Sequence, residues 1–133
     1  MIVGEKSKGR LDMLEYKSMI HLSDKKCVAC EGGVPPLTEA EIKTYLSHVK
    51  EGWNVAGNKK IEKEFKFGDF KQAMEFVNKV AAIAEEEGHH PDIHIFYNMV
   101  KIELWTHAIG GLSENDFILA AKVDTFDGFD PFD

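Results

Sequence analysis

An α+β domain, a four-stranded antiparallel sheet with helices packed on one face, is what the order of patterns along this 133-residue chain predicts. Two pairs of short strand-like stretches are joined by turn residues, Gly57-Asn58 in the first pair and Tyr97-Asn98-Met99 in the second. Three helical stretches, each opened by an N-terminal signal, alternate with these hairpins in the order helix, two strands, helix, two strands, helix. Strands joined by tight turns pair antiparallel, whereas parallel neighbours would need a crossover between them.

The first helix opens at Thr38-Glu39-Ala40-Glu41, a capping box with Thr38 at the N-cap and Glu41 at the third helical position. Ile42, Tyr45, Leu46 and Val49 recur at helical spacing, and Gly52 is expected to stop the helix. Trp53-Asn54-Val55 and residues 60–67 follow as strands, with Ile61, Phe65 and Phe67 alternating against lysines and glutamates to give one buried and one wet face. Gly68-Asp69 opens the longest helix, whose expected core stripe is Phe70, Ala73, Met74, Val77, Val80, Ala81 and Ala84, with Gly88 as its C-cap. Residues 93–96 and 100–106 form the second strand pair. Val100, Ile102 and Leu104 share one face; Lys101, Glu103, Trp105 and His107 share the other, so Trp105 is expected on the exposed or subunit-facing side. Ser113-Glu114-Asn115-Asp116 has a second capping-box pattern and opens the last helix, which runs through Phe117, Leu119, Ala120 and Val123.

The length allows one domain, placed at residues 22–126. Residues 1–21 mix charges and apolar groups without a clean period and are expected to be an extension, within which Met13 and Met19 are further candidate starts. Residues 127–133, rich in aspartate, are expected to be a flexible tail. With 16 Lys and Arg against 23 Asp and Glu, the net charge is −7 and no Lys/Arg-rich stripe offers phosphate neutralisation, so nucleic acid is not an expected partner. No apolar run approaches the roughly 20 residues of a membrane span, and the first ten residues lack the apolar centre of a signal peptide. A cytoplasmic location is expected. Cys27-Val28-Ala29-Cys30 supplies only two thiolates where a structural zinc needs four ligands, and loop residues Gly32-Gly33-Val34-Pro35-Pro36 follow it instead of a helix. The pair is read as reduced thiols, structural or incidental, with metal or redox roles left as alternatives.

Chemistry concentrates elsewhere. Four of the six histidines, His89, His90, His94 and His107, fall within nineteen residues beside the Glu85-Glu86-Glu87 helix end. Imidazole exchanges protons near neutrality, its ordinary pKa being ~6.5, and several converging on one pocket suit proton transfer to and from a small polar molecule. His89 and His90 also follow a helix C-terminus, where a cation meets the negative end of the helix dipole, so a purely structural role is open at this point. His94 is read as a structural strand residue. Asp116 is either the third-position partner of Ser113 in the cap or a site residue, and Glu85 either a solvated glutamate or the carboxylate that orients a histidine.

The pattern Glu85-x3-His89-His90-Pro91-x5-Tyr97-x9-His107-x8-Asp116 resembles the signature of the pterin-4a-carbinolamine dehydratases, also known as dimerisation cofactor of hepatocyte nuclear factor. The likeness takes in Gly52-Trp53-Asn54, Phe65-Lys66-Phe67-Gly68-Asp69-Phe70, Thr106-His107 and Gly111-Leu112-Ser113, from about Pro36 to Val123. Many animal members resemble His-His-Pro-Glu-Trp at this loop; this chain has His-His-Pro-Asp92-Ile93, a form similar to that of the bacterial branch.

The resemblance implies a four-stranded sheet backed by helices, a homotetramer built from dimers, and loss of water from a 4a-hydroxytetrahydropterin. One proton goes to the 4a-hydroxyl and another leaves the adjacent ring nitrogen, with no metal, redox cofactor or covalent adduct. It implies His89 and His107 as the acid/base pair and His90 as a substrate-orienting partner. Glu85, Trp53, Pro91 and Asp116 are the implied substrate-binding residues, Trp53 being either a wall for the flat pterin or a core anchor. Two other classes stay open: a non-catalytic partner of transcription factors or an assembly chaperone, and a metalloenzyme using His89, His90 or His94 with a carboxylate.

Overall fold

The computed structural model describes residues 22–28 and 34–126 of the protein. The expected extension at 1–21, the tail at 127–133 and Cys30 lie outside the described residues.

Each expected element forms, and local chemistry explains most of its boundaries. Helix α1 (Glu39–Leu46) begins with the capping box: the Glu41 N–H donates to Thr38 Oγ1 and the Thr38 N–H to Glu41 Oε1, at 3.2 and 2.8 Å. It ends at Leu46, earlier than the glycine at 52 suggested. The Thr44 carbonyl is taken by the Ser47 hydroxyl at 2.6 Å, the Ser47 N–H at 3.2 Å and the His48 ring at 3.0 Å, local competition that tightens the last turn. Val49, beyond the helix, still packs against the core.

Strands β1 (Asn54–Ala56) and β2 (Lys60–Lys66) are joined through Gly57 and Asn58, both left-handed at φ 60° and 57°. Two successive positive φ values make the turn whose twist matches a hairpin, with the Lys59 N–H on the Ala56 carbonyl at 3.1 Å. Helix α2 (Phe70–Glu87) starts under Asp69, which accepts the Gln72 N–H at 2.9 Å, and stops at Gly88, φ 68°. Its buried stripe is Ala73, Phe76, Val77, Val80 and Ala84. This corrects the expected stripe at three positions. Phe76 faces the core, Ala81 is exposed, and Phe70, at the first helical residue and 49% exposed, overhangs to stack on Tyr97 at 6.5 Å.

Strands β3 (Asp92–Phe96) and β4 (Met99–Leu104) complete one antiparallel sheet in the order β1-β2-β4-β3. The register sets Ile61 opposite Leu104, Phe65 opposite Val100 and Ile93 opposite Ile102 on the helix-covered face. Phe65, Ile61, Val100, Ile102 and Leu104 are almost wholly inaccessible, each burial worth about 1.5–3 kcal/mol in side-chain transfer. Helix α3 (Glu114–Asp124) is buried on nearly all sides: α1, α2 and the 3-10 turn Leu22–Asp24 pack around it, and Tyr45 stacks on Phe117 at 5.1 Å.

The uncovered face of the sheet is a lattice of charge. Glu103 sits among His94, Lys60 and Lys101, at 3.2, 3.3 and 3.5 Å. Burial alone would raise its carboxyl, but hydrogen bonds from His94 and Lys60 and their charges outweigh that and hold it at about 2. A folded-state value below the ordinary carboxylate value adds stability that is present above roughly pH 4.3 and is lost as pH falls toward 2. Glu103→Gln should therefore shift or flatten the acid limb of unfolding between those values and leave the neutral limb in place. A superimposable acid limb in circular dichroism would refute the assignment.

Candidate active site

The C-terminus of α2 and the N-terminus of α3 bring the motif residues together. Gly88 turns the chain sharply out of α2, so that His89 and His90 emerge beside the start of α3. His89 Nε2 lies 2.6 Å from Asp116 Oδ1. Asp116 is inaccessible to solvent, and its Oδ2 accepts the Thr106 hydroxyl at 2.8 Å and the Ser113 N–H at 2.9 Å. The carboxylate thus starts helix α3 and holds a histidine ring at once. Asp116, expected among the substrate-binding residues, has no accessible surface, and its contacts are with His89, Thr106 and Ser113.

His107 begins the 3-10 turn His107–Ile109, which the paired backbones of Thr106 and Gly111 close off. Gly111 is required by space: a Cβ there would come within 2.7 Å of the Pro36 ring. The His107 ring stacks on Trp105 with centroids 3.8 Å apart. Trp105 was expected on the sheet's open side; it follows the end of β4, is half-buried, and lines the cleft instead. Neither its role nor that of Thr106 was legible as chemistry in the sequence, because both depend on where the 106–111 loop folds back.

His89, His90, Pro91 and His107 share a cleft of about 400 Å³ with Val28, Gly88, Asp92, Trp105, Thr106, Ala108 and Asn115. His90 Nε2 is 2.5 Å from Glu85 Oε2, both exposed, so water and salt screen the pair. Two expected groups lie elsewhere. His94 bonds Glu103 on the open face, as a structural strand residue would. Trp53 is a core anchor: it is buried, packs edge-on to Phe65 at 6.1 Å and donates its indole N–H to Asp124 at 2.9 Å. Asp124 lies two turns beyond Asp116, roughly 12 Å along α3, so Trp53 is no wall of this cleft.

Among the described residues, no three His, Cys, Asp or Glu side chains gather as a metal ion would require. Burial, then the neighbouring Glu87 carboxylate, push the Cys27 thiol up to about 12, which keeps it protonated at neutral pH. Glu87 itself is shifted the other way. Its burial is outweighed by the Cys27 N–H and by Lys122 and Lys26, which hold its carboxyl below the usual range. No helix of the described residues is long and apolar enough to cross a membrane.

Comparison with known proteins decides the family. The family model described as pterin 4 alpha carbinolamine dehydratase matches residues 35–126. The chain belongs to the pterin-4-alpha-carbinolamine dehydratase family. Provisionally named dehydratases of this family from Rickettsia bellii and Nitrosospira multiformis are 54% and 56% identical to it. These matches span 77% and 78% of this chain and 91% and 90% of theirs. Among solved structures, a transcriptional coactivator/pterin dehydratase from Brucella melitensis is 37% identical with a TM-score of 0.66, covering 70% of this chain and 99% of that one. A pterin dehydratase-like protein identified as a RuBisCO assembly factor in the alpha-carboxysome is 30% identical with a TM-score of 0.52, covering 59% of this chain and 92% of that one. The matched region of this pterin-4-alpha-carbinolamine dehydratase family member holds every histidine of the cleft and their two carboxylates.

Proposed function

We propose that this chain dehydrates a 4a-hydroxytetrahydropterin to quinonoid dihydropterin and water by histidine acid/base catalysis, as a step of tetrahydropterin recycling. The observation that carries the reading is the convergence of His89, His90 and His107 on one cleft, with His89 tethered to the inaccessible Asp116. In the reaction the C4a–O bond breaks and the hydroxyl leaves as water after gaining a proton. The proton on the adjacent ring nitrogen departs, and its electron pair forms the new C=N bond. No net oxidation occurs, so correctly placed proton carriers suffice.

His89 fits the base. Asp116 engages Nε2, so a neutral ring keeps its proton there and offers Nδ1 as the acceptor. His107, exposed at the cleft and stacked on Trp105, fits the acid that protonates the hydroxyl. His90, tied to Glu85, orients the substrate, and Pro91 shapes the cleft beside it. Purified protein should accelerate the decay of freshly generated 4a-hydroxytetrahydropterin, followed by ultraviolet absorbance. A decay no faster than in buffer would end this reading.

Assembly belongs to the same proposal: a homotetramer built from dimers. The charged open face offers no dry interface, but the outer strand β3 and its turn carry exposed Ile95, Phe96 and Tyr97, with Phe70 alongside. An unpaired edge strand with such side chains is costly to leave wet. Light scattering at micromolar concentration should give a multiple of the chain mass; a monomer would refute the assembly. That patch also favours a second reading, a protein-interaction role. The coactivator and assembly-factor names of the two similar structures point the same way.

A further inference from the structure

Residues 22–28 precede the region that the family model matches, yet they reach the cleft. Leu22 is buried in the core, the Ser23 carbonyl accepts from Lys122 Nζ at 2.9 Å, and Lys25 pairs with Glu114 at 2.6 Å. The Cys27 N–H donates to Glu87 Oε1 at 2.8 Å, two residues before His89. The segment therefore straps the end of α2 to α3, the two elements that carry His89 and Asp116.

Its last described residue is held differently. Asn115, only 4% exposed, uses its side-chain amide as a surrogate strand: Oδ1 accepts the Val28 N–H at 3.0 Å and Nδ2 donates to the Val28 carbonyl at 2.6 Å. Packing explains Leu22 but not this clasp, because the Val28 side chain it fixes is 71% exposed and lines the cleft. A buried amide spent on immobilising an exposed aliphatic group makes sense where something binds against that group.

We infer that residues 22–28 complete the substrate cleft, with Val28 as an apolar contact for the pterin ring system and Asn115 as the positioning residue that holds Val28 in place. This rests on the dehydratase reading of the same cleft. The proton-transfer groups lie outside the strap, so its loss acts on binding more than on chemistry.

The test uses the full chain and two readouts, steady-state dehydration and quenching of tryptophan fluorescence by an unreactive oxidised pterin. Val28→Trp, a change at an exposed side chain that the fold tolerates, should raise both KM and the pterin Kd about 5-fold or more, with kcat within about 2-fold. Asn115→Ala should move both in the same direction. Asn115→Asp keeps the acceptor for the Val28 N–H and loses the donor, so it should fall between Asn115→Ala and the parent. Unchanged KM and Kd in Val28→Trp, beside a parent protein that binds and turns over pterin, would overturn the strap's role and leave the dehydratase reading standing. A parent protein that neither binds nor turns over pterin would overturn both. Should Asn115→Ala fail to fold, Val28→Trp decides alone.

Discussion

Dehydration of 4a-hydroxytetrahydropterin is expected to slow by ~10²-fold or more in His89→Ala and in His107→Ala, since each removes one of the two proposed proton carriers. The two losses should differ in character. His89 is locked through Asp116 and loses a pre-oriented base, whereas His107 is exposed and loses an acid that solvent or added imidazole can partly replace. Melting temperatures should stay near the parent value for His107→Ala, because its exposed ring stacks on Trp105 at the surface. His94→Ala, which touches Glu103 on the open face and not the cleft, is the control and should turn over normally. Initial rates at saturating substrate, checked against circular dichroism, decide the matter; near-parental turnover in either cleft variant would remove that histidine from the mechanism.

The largest loss of stability is expected at Asp124. Lys63 and Asp124 form a buried ion pair at 2.7 Å, and Asp124 also accepts from the Trp53 indole at 2.9 Å and the Lys50 N–H at 3.3 Å. The Lys63 ammonium further lies 5.0 Å from the centre of the Phe65 ring. Asp124→Ala strands that ammonium and the indole N–H in the interior, at a cost of about 3–5 kcal/mol. Lys63→Met removes the charge and keeps an apolar stem, so it should cost less, and the double variant should be more stable than the two losses summed. Equilibrium urea unfolding reads all three; an Asp124→Ala loss under about 1 kcal/mol would show that water reaches Lys63.

Helix and strand identities were legible in the sequence because capping residues and period-two alternation act locally. Thr38, Asp69 and Gly88 cap as their chemistry requires, and Gly57-Asn58 turns as such a pair must. Errors arose where competition within one turn, or a contact distant in the chain, won. Ser47 and His48 drew the Thr44 carbonyl away from a longer helix, and Phe70 found Tyr97 in place of the core. Within the candidate site, the histidine frame was readable as a motif. The burial of Asp116, the cleft position of Trp105 and the Asn115 clasp on Val28 were not. Each depends on residues far apart in the chain meeting across a loop, which no local pattern encodes. Trp53 illustrates the converse: a tryptophan next to a strand reads equally as wall or anchor until its indole partner, Asp124, is known.

Asp116 serves two masters, and that ties the placement of the His89 ring to the integrity of a helix start. Its carboxylate accepts the Ser113 N–H that begins α3 and, through the other oxygen, fixes the His89 ring. That first turn is not a free end: Lys25 pairs with Glu114, and Asn115 and Asp116 are buried, so it opens only together with the packing around it. The His89 ring is then expected to hold its place as long as α3 does, so that on warming the site and the helix let go at one temperature.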